Sequence, residues 1–498
     1  MNATEPPSKS PRKVDPDFRN SLATAHHDGR RKWVYPRKVS GRFFRWRTWM
    51  SWVLLAVMFL GPFIKIAGEP LLMVNVVERK FVILGQVFWP QDGIILAVGL
   101  LLFFTGIAIF TAVYGRLWCG WTCPQTVLME MVFRKIEYAI EGDAHQQRAL
   151  AAASWTARKL LKKSAKHLIF FALSFVIGNT LLAYIIGKDQ LVHIITDNPL
   201  NHLSGLTFML LFTAVFYLIF ARFREQACTF ICPYGRFQST LLDENSIVVA
   251  YDYKRGEQRG AFKRDQTPTE RQRAGIGDCI SCNQCVSVCP TGIDIRNGTQ
   301  MECVHCTACI DACDAVMDKI GQPRGLIRYA SLNGIERGER LKITPRLLIY
   351  SAVILALISL ETFLIFTRSD LQTTWLRAPG ALFQQMPDGH FSNLYTVKVV
   401  NKTAREIPIG FQLENIAGDV RIMNDGRLVV PPRQLIETPV LIELEHSRLN
   451  SGQTRLVIGV YADGKKVETL KTVFIGPRFV HSQSETKEKH EHENERRD

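Results

Sequence analysis

The chain has 498 residues, 47% of them hydrophobic and 21% charged, and a net charge of +15. That length admits two or three folded units. The charge does not mark a nucleic-acid binder: from Thr367 onward 18 basic residues face 17 acidic ones, so nearly all the excess lies earlier, interleaved with apolar spans. This is the positive-inside bias of a membrane protein, no DNA- or RNA-binding motif accompanies it, and nucleic acid is excluded as a partner.

In chain order, residues 1–45 form a basic cytoplasmic arm, of which Met1–Tyr35, with Pro6, Pro7 and Pro11, reads as mobile and lipid-facing. Five apolar stretches are long enough to cross a bilayer: Trp49–Ile66, Gly93–Tyr114, Leu168–Gly187, Leu203–Ala221 and Leu347–Phe366. Some forty-five polar and basic residues precede the first, too many for the short leading region of a cleavable signal. Residues 46–253 therefore read as a four-span membrane domain. Loop charges orient it. Twelve Lys and Arg precede the first span, including Arg30, Arg31, Lys32, Arg42, Arg45 and Arg47, and the loop between spans two and three carries Arg134, Lys135, Arg158, Lys159, Lys162 and Lys163. Only Lys188 lies between spans three and four, with Lys65, Arg79 and Lys80 between one and two. The rule sets the N-terminus and the central cysteine region in the cytoplasm of a bacterial inner membrane, and the C-terminal domain in the periplasm.

Two of these spans end in a repeated motif. Span two leads into Trp118-Cys119-Gly120-Trp121-Thr122-Cys123-Pro124, and span four into Cys228-Thr229-Phe230-Ile231-Cys232-Pro233. Both read C-x3-C-P at the predicted cytoplasmic edge, and a basic residue precedes each, Arg116 in one and Arg224 in the other. Proline favours the first helical position, so Cys123 and Cys232 are expected to cap helices whose free N–H groups and dipole lower a thiol pKa. A duplicated hairpin would gather Cys119, Cys123, Cys228 and Cys232 at one patch. Clustered soft thiolates suit Cu(I) or an iron–sulfur centre; each pair could instead cycle between dithiol and disulfide. Against these stands the reading of small buried hydrophobes at helix ends.

Residues 254–345 carry the strongest signal. Lys254–Arg273 reads as a polar, basic linker into Cys279, Cys282, Cys285, Cys289-Pro290 and then Cys303, Cys306, Cys309, Cys313. Each run is C-x2-C-x2-C-x3-C, the spacing that wraps a 4Fe-4S cube, whereas structural zinc shows C-x2-C pairs set further apart. In two-cluster ferredoxins the fourth Cys of each run serves the other cube. That rule groups Cys279, Cys282 and Cys285 with Cys313, and Cys303, Cys306 and Cys309 with Cys289. All twelve cysteines lie between Cys119 and Cys313, with eight taken by clusters, so a disulfide framework is not expected and a reducing compartment is. His305 reads as a spacer between ligands; His167, His193 and His202 flank spans. The fifth span, 346–366, carries Glu361 toward its distal end.

Residues 367–480 alternate apolar and polar positions, as in Tyr395/Val397/Val399, Ile407/Ile409/Phe411 and Leu456/Ile458/Val460. Turn signals at Asn424-Asp425-Gly426, Pro431-Pro432 and Asp463-Gly464 separate the runs. The expectation is an antiparallel, immunoglobulin-like β-sandwich without a disulfide, suited to docking rather than catalysis. The charged tail 481–498, with His490 and His492, reads as solvated. The whole is an α-helical integral membrane protein of five spans with an inserted ferredoxin-like two-cluster domain and a C-terminal immunoglobulin-like sandwich.

These residues together resemble the FixG/RdxA/CcoG family, accessory factors for cbb-type cytochrome c oxidases. The resemblance runs over nearly the whole chain: Tyr35-Pro36-Arg37, Cys119-Gly120-Trp121-Thr122-Cys123-Pro124, Cys232-Pro233-Tyr234-Gly235-Arg236-Phe237-Gln238, the double cysteine run, the fifth span and the sandwich. One departure is Cys313-Asp314, where bacterial ferredoxins have Cys-Pro. The resemblance implies reduction of Cu(II) to Cu(I) for the oxidase's copper centre, with Cys119, Cys123, Cys228 and Cys232 as the copper-handling, catalytic set. It also implies an unidentified cytoplasmic electron donor, and oxidase assembly factors or a copper chaperone as recipients. Two other functions use the same motifs: a quinol-oxidising subunit feeding a periplasmic reductase, and a non-enzymatic, redox-sensing assembly scaffold. The sandwich and the absence of a haem-binding C-x-x-C-H weigh against the first of these.

Overall fold

Away from water every backbone N–H and C=O must be satisfied within its own segment, and the long apolar runs fold accordingly as helices. Among the described residues four are long and apolar enough to cross a membrane: Pro90–Tyr114, Ala157–Ile186, Pro199–Phe223 and Pro345–Phe366. The last has no buried side chain, as a helix surrounded by lipid would. The computed structural model describes residues 22–26, 28–66, 68–76, 79–262, 268–338, 344–380, 382–423, 428–449 and 452–477. It forms two compact units that divide between Phe363 and Leu364. The tail with His490 and His492, the first 21 residues of the arm and the Asn424-Asp425-Gly426 turn lie outside the described residues.

The first expected span takes a different form. Its helix is Arg42–Leu60, with Arg42, Arg45 and Arg47 in the first two turns, and it stops where Gly61-Pro62-Phe63 turns into a strand at Lys65–Ile66. Thirteen uncharged residues remain, about 20 Å of helix against a hydrocarbon core of about 30 Å. The connection to the next helix, featureless in sequence, holds a three-stranded antiparallel sheet of Leu72–Asn75, Lys80–Ile83 and Gln86–Phe88.

The cysteine-rich part is built around the helices Gln284–Ser287 and Ala308–Lys319. Val248–Tyr251 pairs antiparallel with Ile327–Ala330, so the strand pair brackets both cysteine runs and carries this domain back to Val248, before the expected boundary at 254. Val249, Tyr251, Ile293, Ile295, Met317 and Ile327 form its core together with Cys279, Cys285 and Cys303.

Two segments expected to be loose are packed where they are described. The arm packs from residue 22: Thr24 is buried, Arg31 pairs with Glu225, and the Arg37 amide donates to the Ser287 carbonyl. Its cations find buried carboxylates and its amides find carbonyls, which offset the ordering entropy that charge composition alone suggests it cannot meet. The supposed linker is held by Arg271, whose guanidinium is buried and donates to the carbonyls of Gly260, Ala261, Gly277 and Cys279.

The second unit is a two-sheet sandwich. One sheet runs Asp419–Ile422, Leu435–Leu444, Phe391–Asn401, Leu371–Arg377, with Gln384–Gln385 also on Phe391–Asn401; the other runs Leu428–Val430, Ile407–Leu413, Gln453–Ala462, Lys465–Ile475. All the described pairings are antiparallel. The alternating triads at Tyr395, Ile407 and Leu456 all point inward and are buried. Asp463 and Gly464, at φ 48° and 76°, make the tight turn that joins the last two strands. Asn393, itself buried, exchanges hydrogen bonds with both backbone groups of Ile475 and so ties one sheet to the other.

Candidate electron-transfer and thiol site

Each cysteine run bends through the same left-handed positions. Ser281 and Asn283 have φ 55° and 54°, and the equivalent His305 and Thr307 have 52° and 62°. Alternating left-handed residues turn successive backbone N–H groups toward one concavity, a nest that suits an anionic iron–sulfur centre. Burial pushes the thiols of Cys285 and Cys303 up to about 12 and Cys306 to about 11, while backbone amides near Cys289, Cys303 and Cys306 pull the other way. Cys313 feels Cys285, Cys279 and Cys282 most strongly among thiols, and Cys309 feels Cys306, Cys303 and then Cys289. Burial raises the pKa of Cys285, Cys289, Cys303, Cys306, Cys309 and Cys313, so these thiols ionise together only around positive charge. Cationic iron supplies it, so the donor sets fit two cubes. Among the described residues no three His, Cys, Asp or Glu groups converge on a single ion. Cube ligands do not need to, because each thiolate takes a different iron.

The two C-x3-C-P loops are copies at the level of backbone. The helix Gly93–Tyr114 ends on Gly115 at φ 57°, ψ −135°, and the helical run through Ile219–Phe223 ends on Arg224 at φ 55°, ψ −122°. Each of these is four residues before the first thiol and eight before the second. Gly115 therefore corresponds to Arg224, and the basic residues Arg116 and Arg224 are not equivalent. At 115 a side chain would meet His305 Cε1 at 2.7 Å and the Ile247 carbonyl at 2.9 Å, whereas Arg224 carries a side chain in the same strained, left-handed conformation. Cys123 and Cys232 cap helices beginning at Pro124 and Pro233, as expected.

All four thiols fall within electrostatic reach of one another: Cys119 of Cys123 and Cys232, and Cys228 of the other three. The lowered pKa expected at Cys123 is not found. Burial pushes Cys119 and Cys228 up to about 12 and raises Cys123 as well, even though the amides of Thr126 and Gln125 draw Cys123 down. Desolvation outweighs the helix terminus. The Cys119 thiol donates to Gln238 Oε1 at 3.0 Å, and Gln238 is wholly buried.

The thiol patch and the second cysteine run are physically joined. A Cβ on Gly120 would stand 2.5 Å from the Val304 carbonyl oxygen and 2.6 Å from that of His305. Arg47 is buried between them, donating through Nε to the Gly120 carbonyl at 3.0 Å and through a terminal nitrogen to that of Cys306 at 2.9 Å. Arg116 donates its amide to His305 Nδ1 at 3.0 Å and its guanidinium to the carbonyls of Met301 and Gly235. Burial, with the Arg116 charge beside it, lowers the His305 pKa to about 3, so the ring is neutral and holds the loops together rather than spacing them. Cys119 packs in one apolar cluster with Cys306, Val304 and Val288.

Sequence reasoning missed a buried ion network beside the second motif. Arg224 forks onto Glu137 at 2.8 and 3.2 Å, Arg134 reaches Glu130 at 3.2 Å and Glu225 at 3.8 Å, and Lys163 and Lys166 both pair with Glu141 at 2.9 Å. The signal was present: Glu130, Arg134, Glu137 and Glu141 recur every three or four residues, one face of a helix. Counted only as loop charges, these cations read as topology.

The nests, the paired thiol groups and the membrane-capable helices define a membrane iron–sulfur protein of the electron-transfer class. A 4Fe-4S dicluster domain matches residues 223–332, a 4Fe-4S binding domain matches 96–140, and the IG-like fold at the C-terminal of FixG matches 362–477. The chain belongs to the FixG/RdxA family. Nitrogen fixation protein FixG of Rhizobium meliloti is 32% identical over 467 residues, covering 85% of this chain and 88% of its own. Proteins RdxA and RdxB of Cereibacter sphaeroides are 35% and 36% identical, covering 77% and 78% of this chain and 83% and 82% of theirs.

Proposed function

We propose that this protein reduces Cu(II) to Cu(I) at a cytoplasmic membrane, for assembly of a cbb-type cytochrome c oxidase. Cys279, Cys282, Cys285 and Cys313 would hold one 4Fe-4S cluster, and Cys303, Cys306, Cys309 and Cys289 the other. Bound there, the clusters supply one-electron redox chemistry. Copper is the substrate: each Cu(II) takes one electron, drawn from a cytoplasmic donor, and leaves as Cu(I) to an assembly factor or copper chaperone. Cys119, Cys123, Cys228 and Cys232 grip it, and thiolate ligands favour the reduced ion. The observation that carries the reading is the Gly120 contact, which sets these thiols against the Val304-His305 backbone of the second cysteine run. Gln238 orients Cys119, and the four thiols are partly buried. In this reading the whole of Arg42–Leu60, 19 residues or about 28 Å with its arginines reaching the cytoplasmic headgroups, serves as a short fifth span, with the N-terminus and clusters in the cytoplasm and the sandwich in the periplasm.

The test is the quadruple variant C119S/C123S/C228S/C232S, purified anaerobically and assayed with a Cu(I)-specific chelator. Copper reduction should disappear while about eight irons per chain remain. Undiminished reduction would refute the reading. The 4Fe-4S binding domain match over 96–140 spans Cys119 and Cys123 and favours a second reading, in which the same four thiols hold a further iron–sulfur centre. Wild-type protein would then contain about twelve irons, and the variant about four fewer.

A further inference from the structure

A cavity of about 350 Å³ lies where the arm, the first turns of the helix Arg42–Leu60 and the second cysteine run meet the stretch that follows Cys123. Four cations line it, Arg37, Lys38, Arg47 and Lys135, against one carboxylate, Glu130. Glu130 is already answered, since the wholly buried Arg134 reaches it at 3.2 Å. Arg47 is buried and donates only to neutral carbonyls, those of Gly120 and Cys306, although its charge also acts on the Cys306 thiol. Arg37 donates to Gln284 at 3.1 Å and stands 3.9 Å from Asp143. Asp143 accepts the Lys38 amide at 2.8 Å. Among the described residues the ammonium groups of Lys38 and Lys135 pair with no carboxylate, and Lys135 has only the Phe44 ring, 5.8 Å away. Even with Arg47 set against the thiolates and Arg37 against Asp143, two ammonium groups face one confined space without a counter-ion. Charge withdrawn from water is otherwise paired.

We infer that this cavity binds a phosphate group, carried by an anionic lipid headgroup or by a soluble phosphate compound. Ammonium and guanidinium groups are the side chains that hold phosphate, and basic pockets at the cytoplasmic end of membrane helices take phospholipid headgroups. Lys38 and Lys135 supply charge-assisted hydrogen bonds, while Arg37 and Arg47 add positive field. Arg134 keeps Glu130 from repelling the ligand. The bound anion neighbours the second cysteine run, because Cys306 is part of the same wall. The inference rests on no part of the copper reading.

The experiment uses the full chain, delipidated in a maltoside detergent at fixed ionic strength and free of copper. Each lysine's acetylation rate by an amine-reactive ester is read by mass spectrometry, first alone and then with phosphatidylglycerol in the micelle or with inorganic phosphate. Saturable protection of Lys38 and Lys135, tenfold or more, is expected, with the exposed Lys319 and Lys465 unchanged. Protection by phosphatidylglycerol alone assigns the site to lipid, and protection by inorganic phosphate assigns it to a soluble ligand; either supports the inference. Lys135→Met should abolish protection at Lys38, and the exposed Lys38→Met that at Lys135, both at wild-type iron content, whereas Lys135→Arg should keep it. Three results would overturn the inference: no protection by either probe, equal protection by chloride, or protection at Lys38 that Lys135→Met leaves intact. Because binding is read without copper, loss of the copper reading leaves this result standing, and the converse holds.

Discussion

Gly120→Ala asks whether the thiol patch and the second cysteine run are one mechanical piece. The added Cβ would lie 2.5 Å from the Val304 carbonyl oxygen, 2.6 Å from the His305 carbonyl oxygen and 2.8 Å from the His305 carbonyl carbon. All three are backbone atoms, so no side chain can rotate aside and the two loops must separate. Overpacking costs about 1–3 kcal/mol. Separation also stretches the buried bond from Arg47 to the Gly120 carbonyl, of a charged class worth about 1.5–3 kcal/mol. Allowing for overlap between the two, G120A should lose about 2–5 kcal/mol. Gly93→Ala is the control: nothing lies within 4 Å of a Cβ there, and an alanine in that helix should be neutral or gain about 0.4–1 kcal/mol. Thermal unfolding and EPR of anaerobic protein read the difference, with the signal of the second cluster broadened or lost first. If G120A matched G93A in both stability and spectrum, the joint between the loops would not exist.

Arg47→Met should strand two buried carbonyls, those of Gly120 and Cys306, and drop iron from about eight toward about four per chain as the second cluster fails; equal loss of both clusters would contradict it. Acid should weaken the first unit through Glu141: burial opposes its ionisation, but Lys166 and Lys163 prevail and hold its pKa below the usual carboxylate value. A lowered folded pKa gives stability that is present above the unfolded value near 4.5 and lost as pH falls through the folded one. Lys166→Met should flatten that acid limb in a pH series of unfolding midpoints. Asn393→Ala should cost the sandwich about 1–3 kcal/mol for each Ile475 group left unsatisfied, seen in denaturant unfolding followed by Trp375, which packs against Tyr395 and Phe411.

What could be read from the sequence was whatever depends on short spacing. Strand alternation named the inward residues of the sandwich, and Cys-Pro pairs named two helix caps, because both are local consequences of backbone geometry. Long apolar runs named the four membrane-capable helices for the same reason. The first span, read as Trp49–Ile66, was set too far along the chain because hydropathy does not register that Gly61-Pro62 ends its helix at Leu60. What could not be read was pairing across distance. Arg116 and Arg224 look alike beside their motifs, yet only backbone conformation shows that Arg224 stands where the first loop has Gly115. Arg31 and Arg271 sit in stretches whose charge suggests disorder, and nothing within those stretches names Glu225 or the Cys279 carbonyl as partners. The thiol acidity was misjudged because a helix terminus is visible in one dimension and burial is not.

The matching loops carry a consequence for biogenesis. Cys119 and Cys228 are 109 residues apart, as are Cys123 and Cys232 and the turns that aim them. Half the patch is translated long before the rest, so the four thiols cannot meet until the second loop has been made and has reached the first. Until then the cell holds two separate dithiols rather than one four-thiol patch.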